Sequence, residues 1–382
     1  MVECRLEDLF DLQMGKTPAR NESAYWNSDD YKWISIGDLS KCGKYITKTK
    51  EYISERAVSD TGINLIPANT VVMSFKLSIG KTAITGEPMY SNEAIMSFRD
   101  KHVVELLPDY IYYLLSGRDW DEGTNKAVMG KTLNKATLSK IKVSIHNIEQ
   151  QREIVTILDK VSSIIEAREQ ELSALDDVTK ARFVEMFGDC AEFVPAGAIM
   201  DEMRNGVSPS TSGKCPEKVL TLSAITQGRF DPTMWKDGLF DNPPPAEKRI
   251  HSTDFYMCRG NGNKSLVGAG VYSEEDREDL VFPDTVIAAR VDVTKVRLPY
   301  LFIAWMQPSV RDQIEAGART TNGTYKINQQ IISKINVPLP PLNTQKQFST
   351  FVAQIDKSKS AIQKSLDETQ LLFDSLMQQY FG

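Results

Sequence analysis

Apolar positions recur along the chain in two long, matching registers. Ile154, Leu158, Val161, Ile165, Arg168, Leu172, Leu175, Thr179, Arg182 and Met186 follow alternating steps of four and three, and seven of the ten are apolar. Phe348, Val352, Ile355, Lys359, Ile362, Leu366, Thr369, Phe373, Leu376 and Tyr380 follow the same steps, with eight apolar. This spacing holds one stripe on one helix face and predicts a heptad seam. After Ile148 and after Leu342 some 39 residues pass without Pro or internal Gly. Each stretch therefore predicts one helix of about 55 to 60 Å at 1.5 Å per residue. The lead-in PLPPLN, Pro338 to Asn343, predicts Asn343 as the N-cap of the second helix. A single-stripe helix needs a partner, and each helix has the other, which predicts an antiparallel intramolecular coiled coil. Two ordinary amphipathic helices packed on separate domains are the alternative. Before each helix lie short apolar runs, many β-branched (Val71-Val72, Val286-Ile287), broken by Gly, Pro and Asn. That pattern predicts α+β.

The chain repeats itself. At an offset of 194, LSKIKVSIHNIEQQREI (Leu138 to Ile154) falls on ISKINVPLPPLNTQKQF (Ile332 to Phe348), and the register holds to Phe187-Gly188 over Phe381-Gly382. At an offset of 191, GKTP (Gly15 to Pro18) meets GVSP, Leu107-Pro108 meets Leu298-Pro299, and SNEAIMSFR meets FPDTVIAAR. A period this long indicates domain duplication rather than a solenoid. The plan is a first domain over 1–147, a helix over 148–188, a second domain over 189–342 and a helix over 343–382. Two globular heads related by a pseudo-twofold axis would then be separated by the coiled coil.

At 382 residues, 41% hydrophobic and 25% charged, the composition is that of an ordinary globular protein with more than one domain. No window predicts a membrane span, and MVECRLEDLF has no secretory pattern, so the expected location is the cytoplasm. Five dispersed cysteines and three histidines offer no disulfide framework, metal site or His-based catalysis. The net charge of −6 argues against a basic footprint as a whole, but it is unevenly spread. Lys126, Lys131, Lys135, Lys140 and Lys142 fall in a carboxylate-free stretch, as do Lys41, Lys44, Lys48 and Lys50. Residues 149–192 hold eleven acids against five bases. A local basic face on an acidic chain, or merely a solvated surface, fits this pattern.

Gly-Lys-Thr occurs three times, ending at Thr17, Thr82 and Thr132. A phosphate-binding loop needs glycine five positions before the Gly of this tripeptide, and Phe10, Phe75 and Asn125 stand there instead. Asp241-Asn242-Pro243-Pro244-Pro245 approaches an amino-methyltransferase motif but has Pro245 in place of the base-stacking aromatic. No glycine-rich cofactor motif accompanies it.

The duplicated order of a GKTP or GVSP opening, a basic Gly-rich turn, a Lys-Ile-x-Val joint, QQRE or TQKQ, and a long helix ending in Phe-Gly resembles the DNA specificity subunit of type I restriction-modification systems. The resemblance covers essentially the whole chain. It implies two target-recognition domains, each reading one half of a split site in double-stranded DNA. The helices would space the domains and dock a pair of methyltransferase subunits, with a restriction/translocase subunit as a further partner and no membrane. It implies no catalysis and no cofactor in this chain; the partners would use S-adenosylmethionine, ATP and Mg. A DNA-modifying enzyme and a coiled-coil scaffold without DNA binding are the alternatives. VMSFKLSIGKTAI corresponds to YMCRGNGNKSLVGAG, which makes Lys76, Ser78 and Lys81, and Arg259, Asn261, Asn263 and Lys264, candidates for facing DNA. Arg and Lys suit guanine O6 and N7, Asn suits adenine, and Gly admits phosphate; an ordinary hairpin turn uses the same Gly and Asn. Lys16, Thr17 and Arg20, with Ser208 and Ser210, are candidate phosphate contacts. Lys131 joins them from the first copy, opposite Arg319, Asn322, Tyr325 and Lys326 in the second.

Overall fold

The computed structural model describes residues 1–26, 28–76, 78–118, 120, 133–190, 192–321 and 323–382. The chain divides into two compact units, Met1–Glu169 with Lys364–Gly382, and Gln170–Gln363. In the first unit Phe10–Met14, Ile95–Asp100, Val71–Ser74, Thr82–Thr85 and Tyr45–Ile46 form a sheet in that order. In the second, Met200–Asn205, Val286–Val291, Asp254–Cys258 and Gly270–Tyr272 take the same order as the first four. The register repeats as well: Asp11 faces Arg99 in one unit and Asp201 faces Arg290 in the other. Val71 and Val72 are both buried, as are Val286 and Ile287. A β-branched pair suits a strand covered on both faces. A short antiparallel ladder completes each unit, Val2–Arg5 with Lys142–Ile145 and Phe193–Pro195 with Asn336–Pro338.

The duplicated glycine of GKTP and GVSP has a backbone role. A Cβ at Gly15 would collide with the carbonyl oxygens of Ser91 and Asn92, and one at Gly206 with those of Phe282 and Pro283. Gly15 N–H donates to Ile95 O and Gly206 N–H to Val286 O, each at 3.1 Å. Only glycine lets the chain leave its strand this close to its neighbour.

The helices Ile148–Phe187 and Leu342–Phe381 are each 40 residues long. In the first unit Ile154 and Leu158 share a core with Phe373, Leu376 and Met377. In the second, Phe183 and Phe187 pack edge-on against Phe348. The start of each helix thus meets the end of the other, and the pairing is antiparallel. The final turn departs from the expected stripe. Arg182 is exposed, whereas Phe183 and Phe187 are buried; in the second helix Met377 is buried and Leu376 only half so. An α-helix drifts about 20° per heptad away from a strict seam, and here the drift turns the last aromatic residues onto a domain. Phe187 lies 4.9 Å from the Tyr300 ring and Phe381 lies 5.4 Å from the Tyr110 ring. The phenylalanine of the duplicated Phe-Gly pair is therefore a docking residue in both copies.

Two expectations are corrected. Asn343 lies inside the second helix, whose first turn begins with Thr344 and Gln345 N–H donating to Pro341 O. In the first helix Asn147 takes that place, with its Oδ1 accepting from Gln150 N–H at 2.9 Å. The match of Leu107-Pro108 with Leu298-Pro299 is shifted by one, because Tyr110 and Tyr300, 190 apart, hold the same place. Tyr110 bonds Ser144 O and Tyr300 bonds Pro338 O from the start of their helices, Pro108–Ser116 and Leu298–Trp305.

Candidate nucleic-acid interface

In the first unit the stretch after Val71–Ser74 is a hairpin. Met73 pairs with Thr82 and Val71 with Ile84. Gly80-Lys81-Thr82 therefore enters a strand, not the helix that a phosphate-binding loop requires. Gly15-Lys16-Thr17 leaves a strand, and the third tripeptide lies outside the described residues. The buried Ser74 hydroxyl organises the turn by donating to Ser78 O and accepting from Lys81 N–H at 3.1 Å. Gly80 sits at φ +87° against Trp120. Ser78 and Lys81 are exposed and Lys76 is half-buried.

The neighbouring loop is more internally committed than its sequence suggests. Lys16 Nζ donates to Thr61 O at 2.6 Å, and the Thr17 hydroxyl donates to the Glu93 carboxylate. Burial raises the Glu93 pKa, but the Thr17 bond, a backbone bond and the charges of Lys76 and Arg20 outweigh it and leave the carboxyl below its ordinary range. Arg20 forms two bonds to Glu51, at 2.5 and 3.2 Å, and lies 3.8 Å above the Trp26 ring. These partners are distant in sequence, so a loop of Lys, Thr and Arg looked free. Arg20→Ala is expected to lower stability by about 1 kcal/mol and to leave the salt dependence of DNA binding unchanged; a shallower dependence in a titration would return Arg20 to the DNA face.

Lys44, from the other basic stretch, also turns inward. It pairs with Asp109 and Asp159 at 2.6 Å each, and Tyr113 donates to Asp159 at 2.5 Å. This network ties the domain to the first long helix.

In the second unit the structure brings together segments far apart in sequence. Gly260–Asn261 pairs with Thr324–Lys326, which pairs with Arg319–Thr321, in a small three-stranded sheet. Residues directly opposite in such a ladder share a face. Gly260, Lys326 and Arg319 lie on one face, and Asn261, Tyr325 and Thr320 on the other. Tyr325 packs on the core, and the half-buried Asn261 side chain reaches Cys258. Asn261 and Tyr325 therefore face away from the surface that carries the cations. Arg319 and Lys326 are exposed, and neither has an ion-pair partner among the described residues. Like charges directly opposite repel, which makes this pair a candidate contact for an anion.

Around this sheet the loop is built by its own amides. Asn261 Oδ1 accepts from Asn263 N–H at 2.9 Å, and Asn263 Oδ1 accepts from Ser265 N–H at 3.1 Å. Both amide oxygens hold turns, while Lys264 is exposed beside them. Arg259 donates to Asp284 O at 3.1 Å, and Asp284 N–H donates to Val207 O at 3.2 Å. Ser208 follows, exposed, and Ser210 is held through its N–H on Leu239 O at 2.7 Å. Sequence reading missed Arg311, which fixes the loop from beneath by donating to Ser265 O and Val267 O, both at 2.9 Å. Its signal was only a basic residue on an amphipathic helix. Lys131 and Asn322 lie outside the described residues.

The cavity of about 700 Å³ in this unit is a different surface. It is lined by Glu217, Asp237, Asp276, Glu278 and Asp279 against Lys218 and Arg249. The Arg277 hydrogen bond holds Asp279 at about 2, so its charge persists. Such a lining repels phosphate. Asp241 to Pro245 is irregular backbone with a bend at Asp241-Asn242, leading into a short 3₁₀ helix, Ala246–Lys248.

The Type I restriction modification DNA specificity domain matches residues 1–176 and 296–369. The chain belongs to this family. It is 25% identical over 193 residues to the Type I restriction enzyme MjaIX specificity subunit of Methanocaldococcus jannaschii, covering 50% of this chain and 44% of that relative. It thus spans less than half that relative's length. It is 21% identical over 398 aligned positions to the Type I restriction enzyme EcoKI specificity subunit of Escherichia coli K12, covering 96% of this chain and 84% of that one. The fold is similar to that of the Type-I restriction-modification system S subunit from M. genitalium, with a TM-score of 0.52 and 14% identity over 98% of this chain and 94% of that one. The α+β reading with paired long helices holds for this family member. No helix among the described residues is long and apolar enough to cross a membrane.

Proposed function

We propose that this chain is a noncatalytic, cytoplasmic DNA-reading subunit of a type I restriction-modification complex. Each unit reads one half of a bipartite duplex site, and the long helices set the separation. The observation that carries this reading is the outward face bearing Arg319 and Lys326 directly opposite one another, two cations with no ion-pair partner among the described residues. Cations so placed take phosphate first, and base edges only where a side chain reaches the groove. In the first unit Lys76 and Lys81 on the hairpin, which matches the Arg259 to Lys264 loop, are the candidates. The reaction chemistry belongs to partners: methyltransferase subunits using S-adenosylmethionine, and a restriction/translocase subunit using ATP and Mg. Footprinting of the assembled complex tests the reading. Two protected segments separated by an unprotected spacer are expected, and one continuous or absent footprint contradicts it.

The helices supply the partner surface. The acids of the first helix repel DNA, while Val178 and Leu372, at matching positions in the two copies, are exposed at 47% and 51%. Exposed apolar residues at duplicated positions fit a pair of identical protein partners. Val178→Glu with Leu372→Glu is expected to weaken assembly with the methyltransferase by about tenfold or more without lowering the melting temperature. Light scattering on a sizing column checks this; unchanged assembly argues against the surface.

A further inference from the structure

Gln151 and Gln345 hold matching places near the starts of the two long helices, and both are fully buried. Gln151 Oε1 accepts from Leu107 N–H at 3.0 Å, and its Nε2 donates to Glu105 O at 3.0 Å and His146 O at 2.9 Å. Gln345 Oε1 accepts from Arg297 N–H at 2.9 Å, and its Nε2 donates to Lys295 O at 3.1 Å and Pro340 O at 2.8 Å. The same clasp is thus built twice, on equivalent backbone positions whose side chains differ.

Each clasp joins three segments. Leu107 and Arg297 are the N-caps of Pro108–Ser116 and Leu298–Trp305, and neither cap has a side-chain bond of its own. His146 and Pro340 belong to the joints that lead into the long helices. The capped helices in turn pack on the sheets, Pro108–Ser116 against Val71–Ser74 and Thr82–Thr85, and Leu298–Trp305 against Gly270–Tyr272. One primary amide supplies an acceptor and two donors in a fixed plane. Leucine supplies none and would leave three partly buried backbone groups without these partners.

We propose that Gln151 and Gln345 are positioning residues that lock the angle between each reading sheet and its long helix, so that half-site spacing is measured by a rigid body. The clasp rests on geometry alone; its link to spacing rests on the DNA-reading function proposed above. Without the lock each unit keeps its sheet and its loop, and so its half-site preference, but swivels at the joint.

Two measurements on the full chain, assembled with its methyltransferase, test this. In Gln151→Leu, amide exchange at Leu107 and in the first turn of Pro108–Ser116 is expected to rise about tenfold, the scale of one lost backbone hydrogen bond. Val71–Ser74 should stay protected. Protection falling equally through the sheet, or nowhere, would overturn the clasp. Gln345→Leu makes the same forecast for Arg297 against Asp254–Cys258. The second measurement is methylation of duplexes carrying the native half-sites with spacers one base pair longer or shorter. Variants that keep both half-sites but discriminate about tenfold less between spacers support the proposal, and unchanged discrimination overturns it. If the native chain directs methylation to no bipartite site, the DNA-reading function fails while the exchange result still judges the clasp. Should the leucine variants not fold, Gln151→Glu keeps the size and the acceptor and removes the paired donors, and the same readouts apply.

Discussion

Asp254→Ala is expected to destabilise the second unit by about 3 to 5 kcal/mol, the range for removing one member of a buried ion pair. Asp254 is fully buried. It pairs with Arg204 and, at 2.6 Å, with Arg290, while Tyr256 donates to it at 3.4 Å. These contacts tie three neighbouring strands at one end of the sheet. Without the carboxylate, Arg204, whose side chain is 12% exposed, keeps its charge and loses its counterion. A loss of this size consumes much of a typical domain's stability of about 5 to 15 kcal/mol. Denaturant unfolding should show the transition of the second unit moving while that of the first stays in place. Adding Arg204→Met to Asp254→Leu should recover part of the loss, because the buried Arg204 charge is no longer stranded and only the more exposed Arg290 lacks its partner. A double variant no better than the single one would show that the pair does not hold the sheet.

Arg319→Glu with Lys326→Glu should abolish measurable binding to the native site at physiological salt while leaving the fold intact. The alanine pair gives the quantitative form. If both residues meet phosphate, affinity falls for all sequences alike and the slope of log affinity against log salt becomes shallower by about 2, one for each residue. If either reads a base, preference at one position of one half-site relaxes by about 1 to 3 kcal/mol. An unchanged affinity and slope would reduce this sheet to a structural hairpin. Asn261→Ala, by contrast, should act on stability, since its amide oxygen holds the turn at Asn263.

The duplication and the helices were legible because they rest on periodicity and on repeated residues whose reasons are local. Gly15 and Gly206 are needed by the backbone around them, and Phe187 and Phe381 close their helices in the same way. The candidate interface was only partly legible. Which side of a strand a residue occupies depends on its register, so Asn261 and Tyr325 read like Lys326 in sequence but face the other way. Arg20 and Lys44 looked free because Glu51 and Asp159 lie far along the chain. The outward turn of Arg182 follows from helical drift, which a strict four-and-three count ignores. Arg319 and Lys326 were each visible as cations, but only the ladder shows them opposite one another.

Exchange of residues 1–147 for the corresponding residues of a related specificity subunit, followed by mapping of methylated positions in a host that supplies the methyltransferase, tests the central claim most directly. The two units are separate readers in this account. One half of the methylated site should change to that of the donor, while the other half and the spacer stay as in the parent. A change in both halves, or in neither, would contradict two independent readers held on a common pair of helices.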